Sequence, residues 1–492
     1  MKHLKSPVKT STIGMAIIGI AAIALCGVTI QAHAQVYSPL YYFSGGSEPS
    51  HPAAILTQGR DGNLYGVSHS GGSSPNCANG CGTIYQMTPS GSPDVIYSFN
   101  TSDGCSGLSL GSDGNFYGAC SNGGAYGMGY VFQATPPPTQ VNSLYSFCQQ
   151  PSCPDGANPS DRPTQGADGN YYGTTIIGGA NNTGTVYRIT PSGTLNTIWS
   201  FSTDPDISYP SGPLFLGSNG NLYGATKGGN TAQPACPPSC GAVYEINNTG
   251  TSFKLLHRFV NSLSDGATPN ALIQDSNGNF YGTTLQGGTN GLGTLFRILP
   301  QGEDSRDPST FSPYSILYNF QSQTDGLPRG LTQASNGVLY GDAYGSNQNG
   351  SLYGITPVAG SLVYSLAFTD TQTMGSHPDS ALSHTSGILY GVTDVGGTSN
   401  DGVFYSLSLS DGAAYCRPQV VVGQVGATIG ILGQGFSSSS KVYFGNIQAT
   451  SITLIGSNYI SAQIPSGAQT GTLTVMTGSE KLNSLGPFYV LP

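Results

Sequence analysis

The string Asp61-Gly62-Asn63-Leu64-Tyr65-Gly66 recurs along this 492-residue chain, as Asp113 to Gly118, Asp168 to Gly173, Asn219 to Gly224, Asn277 to Gly282, Asn336 to Gly341 and Ser386 to Gly391. Its tyrosines, Tyr65, Tyr117, Tyr172, Tyr223, Tyr281, Tyr340 and Tyr390, are spaced by 52, 55, 51, 58, 59 and 50 residues. A period of that size is the length of one four-stranded propeller blade and far exceeds a β-helix coil. Each repeat offers four strands. Leu64 to Ser68 follows the turn, Thr83 to Met87 follows a Gly-Gly loop, and Val95 to Phe99 follows the Pro89 to Gly91 turn. A fourth precedes the next Asp-Gly turn, as in Ala271 to Gln274. Asp-Gly and Asn-Gly between apolar runs mark hairpins, because the turn requires φ > 0. Turn geometry therefore accounts for these residues, whereas a calcium loop would need further oxygen ligands at fixed offsets.

Composition points the same way. Only 8% of residues are charged, against about 25% in ordinary soluble domains. Glycine numbers 72, tyrosine 29 and phenylalanine 18, with one tryptophan. Helices do not tolerate that much glycine, at about 1 kcal/mol per interior position. Disordered chains lack aromatics and carry more charge. The expected fold is all-β: a seven-bladed β-propeller over residues 35–412, followed by a small immunoglobulin-like β-sandwich over 413–492.

The ends of the repeat region suggest a closed ring. Leu40 to Phe43 and Ala54 to Leu56 read as third and fourth strands, while the last repeat stops after its first two, Leu389 to Thr393 and Val403 to Leu407. Two strands from each end would complete one blade and remove exposed sheet edges. The Tyr-Gly-x-Thr segments, such as Tyr172 to Thr175 and Tyr281 to Thr284, are richest in small residues and are expected innermost. The repeated Tyr and Phe should fill the space between blades. In the tail, short alternating strands are expected at Thr428 to Leu432, Lys441 to Phe444, Ser461 to Ile464, Thr472 to Met476 and Phe488 to Leu491.

Residues 1–34 read as an export signal. Lys2, Lys5 and Lys9 precede an apolar run from Ile13 to Ile30, and Ala32-His33-Ala34 suits cleavage before Gln35. An uncleaved anchor, or lipid attachment at Cys26, is the alternative. No later segment reaches the roughly 18 apolar residues of a membrane helix. The whole chain carries 15 Lys+Arg and 24 Asp+Glu. Losing the three lysines of the signal takes the formal charge from −9 to −12, which disfavours nucleic acid as a partner. The expected location is secreted or cell-surface, with no membrane span after cleavage.

Ten cysteines are present. Cys77/Cys81, Cys148/Cys153 and Cys236/Cys240 are close pairs, and Cys105 and Cys120 flank the Asp113-Gly114 turn as opposed hairpin residues would. In an exported chain these read as loop-pinning disulfides rather than metal ligands, since the Cys-x-x-x-Cys pairs are too far apart to share zinc. Cys416 is left over, free or paired with another chain.

Two resemblances extend this reading. Pro269 to Gly282, with Gly287-Gly288 and Gly293-Thr294-Leu295-Phe296, resembles the GloVer tandem repeat of exported bacterial choice-of-anchor proteins. Most of residues 37–410 follow that order; the sixth repeat departs, with Tyr344-Gly345-Ser346 where Gly-Gly is expected. The tail resembles an IPT/TIG domain through Gly433-Gln434-Gly435-Phe436, Val442-Tyr443-Phe444-Gly445, Ile464-Pro465 and Phe488-Tyr489-Val490. Neither family implies a reaction.

Catalytic patterns are sparse. After signal cleavage the histidines are His51, His69, His257, His377 and His384, and neither a zinc helix nor a phosphate-binding loop occurs. Gly66 to Gly71 mimics a nucleophile elbow, but its second glycine is one place late. His51-Pro52 and His377-Pro378 would precede fourth strands, in the closing blade and the one before it, and so meet on adjacent rim loops. Solvated loop residues are the plainer account of them. Glycan-cutting propellers need paired carboxylates, and Glu48, Asp204, Asp206, Glu303, Asp342 and Asp379 show no pairing. No cofactor and no metal is expected. The expected function is non-enzymatic recognition of glycans or surface proteins, with the tail as spacer or attachment module. The alternatives are a polysaccharide hydrolase or lyase, and a purely structural surface protein.

Overall fold

The computed structural model describes residues 35–136, 140–228, 240–260, 262–299, 314–345, 349–409 and 412–491. Residues 1–34, expected to direct export, lie outside them, as do Cys236 and Glu303. Among the described residues, helix is confined to single turns at Pro205–Ile207 and Thr371–Met374. The strands pair antiparallel throughout, except that Val422–Gln424 runs parallel to the end of Glu480–Leu491.

The first complete sheet runs in chain order through Pro49–Gln58, Leu64–Gly71, Thr83–Met87 and Pro93–Ser98. Later sheets repeat this meander, starting at Cys105, Ala157, Pro210, Gly266, Pro328 and Ser376. The Asp-Gly turn therefore joins the first and second strands of one sheet, and the expected fourth strand belongs to the sheet that follows. Two expectations change as a result. The closing sheet is ordered Val36–Tyr42, Val403–Ser408, Ile388–Val395, Ser376–Ser383. It takes one strand from the N-terminal side and three from the C-terminal side, not two from each. The pairing is antiparallel, from Val36 opposite Ser408 to Tyr42 opposite Val403.

The Tyr-Gly-x-Thr strands are not innermost either. Each is second in its sheet, and the leading strands, Pro49–Gln58 and its equivalents, line a common central cavity. Small residues sit in the second strand for another reason. Gly173 lies directly opposite Tyr187, whose ring crosses the strand and leaves no space for a Cβ. Gly66 opposite Tyr85, Gly118 opposite Phe132 and Gly282 opposite Phe296 repeat the arrangement.

Aromatics do fill the gaps between sheets. Ring centroids of Tyr65 and Phe116, Tyr117 and Tyr171, and Tyr223 and Phe280 lie 4.4, 3.8 and 4.3 Å apart. The turn aspartates hold the motif tyrosines in place. Asp61 accepts from the Asn63 backbone N–H, the Asn63 side chain and the Tyr65 hydroxyl, and Asp113 and Asp168 do the same for their repeats.

A second contact clips each sheet to the next. The residue before the leading-strand proline has left-handed φ: His51 +52, Asn158 +54, Tyr209 +56, Thr268 +58, Leu327 +60 and His377 +56. Its N–H reaches back to the preceding sheet, as Tyr209 to the Thr183 carbonyl at 2.9 Å. The glycine after that carbonyl then faces the proline ring; a Cβ on Gly184 would stand 2.7 Å from Pro210 Cδ. Six non-glycine residues accept a conformation costing about 1–2 kcal/mol each, and the inter-sheet contact offsets it. The clip also spans the seam between chain ends, with His51 N–H on the Asp401 carbonyl at 3.1 Å and Gly402 facing Pro52. Where the first sheet meets the second, Gly104-Cys105 replaces X-Pro, and Cys105 is bonded to the opposed Cys120. At the other end of the seam, Gln58 donates to the Thr385 hydroxyl, and His384 Nε2 lies 3.1 Å from the Gly62 carbonyl.

Residues 417–491 form two sheets around their own core, which includes Ile431, Val442, Phe444, Leu473 and Phe488. Cys416 is free and buried in it. This unit docks on the Asp-Gly turns. Arg60 stacks on the Tyr459 ring at 4.1 Å, Asn458 donates to the Asp61 carbonyl, and Gln419 donates to the carbonyls of Leu110 and Gly111.

The glycine–aromatic contact is directly testable. Gly173→Ala should cost at least ~2 kcal/mol in denaturant unfolding, because the opposed ring cannot move without disturbing two strands. Tyr187→Phe should stay within about 1 kcal/mol of the parent: its hydroxyl has no protein partner, and Phe132 and Phe296 fill the same place.

Candidate functional site

The leading strands enclose a cavity of about 700 Å³. One end is covered by Arg417 to Val421 and Leu432 of the tail unit. The other is the mouth, at the X-Pro ends of the leading strands. Every leading strand but the third, which is broken in two, is bulged where it passes the cavity. Two strand residues oppose one between Asp379 and Ala381, and four residues span the partner's two between Ser211 and Phe215. Bulges re-aim side chains. In the third leading strand, a break between Ala157–Pro159 and Thr164–Gln165 places Asp161 and Arg162 at the cavity.

The residues that recur in every repeat are those committed to packing, and the side chains at this mouth are not among them. Just after the second strand's small residues stand His69, Ser121, Ile176, Lys227, Leu285, Tyr344 and Asp394; before the leading-strand prolines stand His51, Asn158, Tyr209, Thr268, Leu327 and His377. The interior repeats because it must pack, whereas the mouth is free to vary.

Charge gathers there. Arg162, Lys227, Arg329, Asp161 and Asp379 line the cavity, and Arg417 reaches it from the end that the tail unit covers. Arg329 lies 4.0 Å from the Tyr344 ring centroid and 4.0 Å from the Asp379 carboxylate. The Tyr344 ring also stacks on His377, at 4.3 Å. The departure of the sixth repeat thus supplies an aromatic platform holding one cation of the mouth. Burial pushes the Asp161 carboxyl up to about 6; the Arg162 charge opposes this shift, and Asp379 across the cavity adds to it. Burial lowers the Arg162 pKa, with the Asp161 charge opposing and Arg417 adding to the shift; burial lowers that of Lys227, with Arg329 adding to it. His377 is lowered by burial, with Asp394 opposing.

The two histidines singled out from the sequence lie on neighbouring leading strands, Pro49–Gln58 and Ser376–Ser383. His377, not His51, belongs to the closing sheet, for the same reason that the strand count shifted. They do not pair. His51 Nδ1 sits 3.5 Å from the Asp394 carboxylate, while His377 packs on Tyr344. Among the described residues no group of His, Cys, Asp or Glu is placed to hold a metal. Glu48 accepts from the Tyr41 and Ser44 hydroxyls, and Asp204 and Asp206 both bind Arg258. Asp342 accepts from the Gly330 N–H. Cys77–Cys81, Cys105–Cys120 and Cys148–Cys153 are disulfides. Cys240 is disulfide-bonded; its expected partner, Cys236, lies outside the described residues. Sequence reading missed Arg162, Lys227 and Arg329, although aligning the repeats position by position exposes them.

Known proteins place this geometry in context. The Gloeobacter/Verrucomicrobia repeat profile matches residues 52–236 and 236–428, and the IPT/TIG domain profile matches 418–490. Comparison with curated proteins gives no match. Among solved structures, a streptogramin B lyase shares 16% identity at a TM-score of 0.53, covering 76% of this chain and 98% of its own. A virginiamycin B lyase from Staphylococcus aureus shares 16% identity at a TM-score of 0.50, covering 76% of this chain and 99% of its own. At that identity the likeness is one of fold: an all-β, propeller-like array of sheets.

The electrostatics of the mouth make a defined prediction. In a carboxyl NMR titration, Asp161 should change protonation near pH 6, and Arg162→Gln should move its midpoint higher by removing the charge that favours the carboxylate. A midpoint in the ordinary range near 4 would contradict the recessed placement of this side chain.

Proposed function

The chain belongs to the Gloeobacter/Verrucomicrobia repeat family and carries an IPT/TIG domain, and from that premise we propose an exported recognition protein. Residues 1–34 direct export, residues 35–412 form a seven-bladed propeller, and residues 413–492 form the immunoglobulin-like base. The protein binds glycans or surface proteins at the mouth of the central cavity and does not transform them. The observation that carries this reading is the character of the rim opposite the IPT/TIG domain: its side chains differ from repeat to repeat and open on one cavity. Disulfides suit an oxidising compartment, and no helix among the described residues is long and apolar enough to cross a membrane.

A polysaccharide hydrolase or lyase is the competing reading, favoured by Asp161 and Asp379 lining one cavity. The two readings separate in one experiment. The mature protein, residues 35–492, is screened on a glycan array and then incubated with the polysaccharides that it retains. The proposal expects retention that Leu285→Trp at the mouth abolishes, with no new reducing ends or unsaturated products. Product release lost in Asp161→Asn or Asp379→Asn would replace binding with catalysis.

A further inference from the structure

We propose that the mouth takes an acidic sugar, with its carboxylate held by Arg162, Lys227 and Arg329 and its hydroxyls by Asp161 and Asp379. The inference rests on the mouth being the binding site and adds the chemical class of the ligand.

Cations are scarce in this protein. The whole chain has 15 Lys+Arg against 24 Asp+Glu, yet Arg162, Lys227, Arg329 and Arg417 all line a single cavity. They come from separate repeats and from the tail unit, so no local sequence bias explains the cluster. Like charges so placed disfavour one another, as the paired effects of Arg329 on Lys227 and of Arg417 on Arg162 indicate.

The fold makes little use of these three side chains. Arg162 Nη1 is buried without a hydrogen-bond partner in the protein. The Lys227 ammonium makes no ion pair among the described residues, and Arg329 stands 4.0 Å from its nearest ion-pairing oxygen. Arginines that serve structure look different here. Arg258 bonds to Asp204 and Asp206, and Arg60 donates to the Ser112 carbonyl and the Tyr459 hydroxyl. Guanidinium and ammonium donors lining one recessed cavity match a planar oxyanion.

The carboxylates narrow the choice further. Asp161 and Asp379 beside the cations would repel a phosphate or sulfate dianion. They would accept hydrogen bonds from hydroxyls, since an ionised carboxylate only accepts. A ligand satisfying both halves carries one carboxylate and several hydroxyls, which is the chemistry of a uronic acid. A volume of about 700 Å³ also lies within the range of small-ligand sites.

The test is calorimetric titration of the mature protein at low ionic strength. The probes are galacturonate, glucuronate and mannuronate as mono- and disaccharides, their methyl esters, and inorganic phosphate. At least one free acid should bind. Its affinity should fall by roughly tenfold or more on esterification, and likewise in Arg329→Gln and in Lys227→Gln, as expected for a lost charge-assisted hydrogen bond. Lys254→Gln, on the exposed outer strand Phe253–Arg258, should change nothing. Both mouth substitutions are at exposed side chains, and thermal unfolding verifies that each variant folds.

Esters binding as tightly as the acids would overturn the carboxylate requirement and leave the mouth as a glycan site. Phosphate binding more tightly than every acid would overturn the sugar assignment. Acid binding unaffected by either substitution would place the ligand elsewhere. Binding of neither acids nor esters, together with an array that retains nothing, would remove both this inference and the function it rests on.

Discussion

The contact on which the rest depends is the clip between neighbouring sheets: a backbone N–H given by a left-handed residue, and a glycine lying against the following proline. It is small, but it fixes how far each sheet turns from the last. Because a bulkier residue at Gly184 or Gly402 would meet the proline ring, the spacing leaves little latitude. Aromatic stacking between sheets, as at Tyr117 and Tyr171, supplies apolar burial. The clip supplies register. The same clip joins the last sheet to the first, so the seam between chain ends has the chemistry of the other X-Pro junctions.

That construction separates stability from recognition. The motif tyrosines and the opposed glycine–aromatic pairs are committed to packing and recur in every repeat, and the turn position stays polar, as Asp, Asn or Ser. The clip itself uses the backbone of the X-Pro residue, and its side chain differs: His, Asn, Tyr, Thr, Leu and His in turn. The end of the second strand differs likewise. Both sets open on the same rim, because antiparallel strands bring the start of one beside the end of the next. With the IPT/TIG domain across the opposite end, the mouth is where a ligand has access.

Much of this is legible in the amino-acid order. Period, hairpin turns, class and the pairing of Val36–Tyr42 with Val403–Ser408 follow from the repeat and its ends. Strand grouping does not follow if the repeat is counted from its tyrosine. The Asp-Gly hairpin that ends Pro49–Gln58 ties that strand to the next sheet, and counting from the hairpin would have placed it there. The small residues of Tyr172 to Thr175 suggested crowding at the axis, but a ring from the adjacent strand is the cause. The site was harder to see, since Arg162, Lys227 and Arg329 are lone charges far apart in sequence. Tyr344 was visible as a departure from the pattern, and only its stacking on Arg329 and His377 gives that departure a role.

Closure of the ring by one N-terminal strand is the claim that bears most weight, since an open array would have no common cavity. Ser38 and Ser406 are directly opposed across that seam. The decisive measurement is peptide mapping by mass spectrometry of the Ser38→Cys, Ser406→Cys double variant after mild oxidation. Closure predicts an intramolecular crosslink between these two positions in monomeric protein. Free thiols at both sites, or crosslinks only between chains, would contradict it.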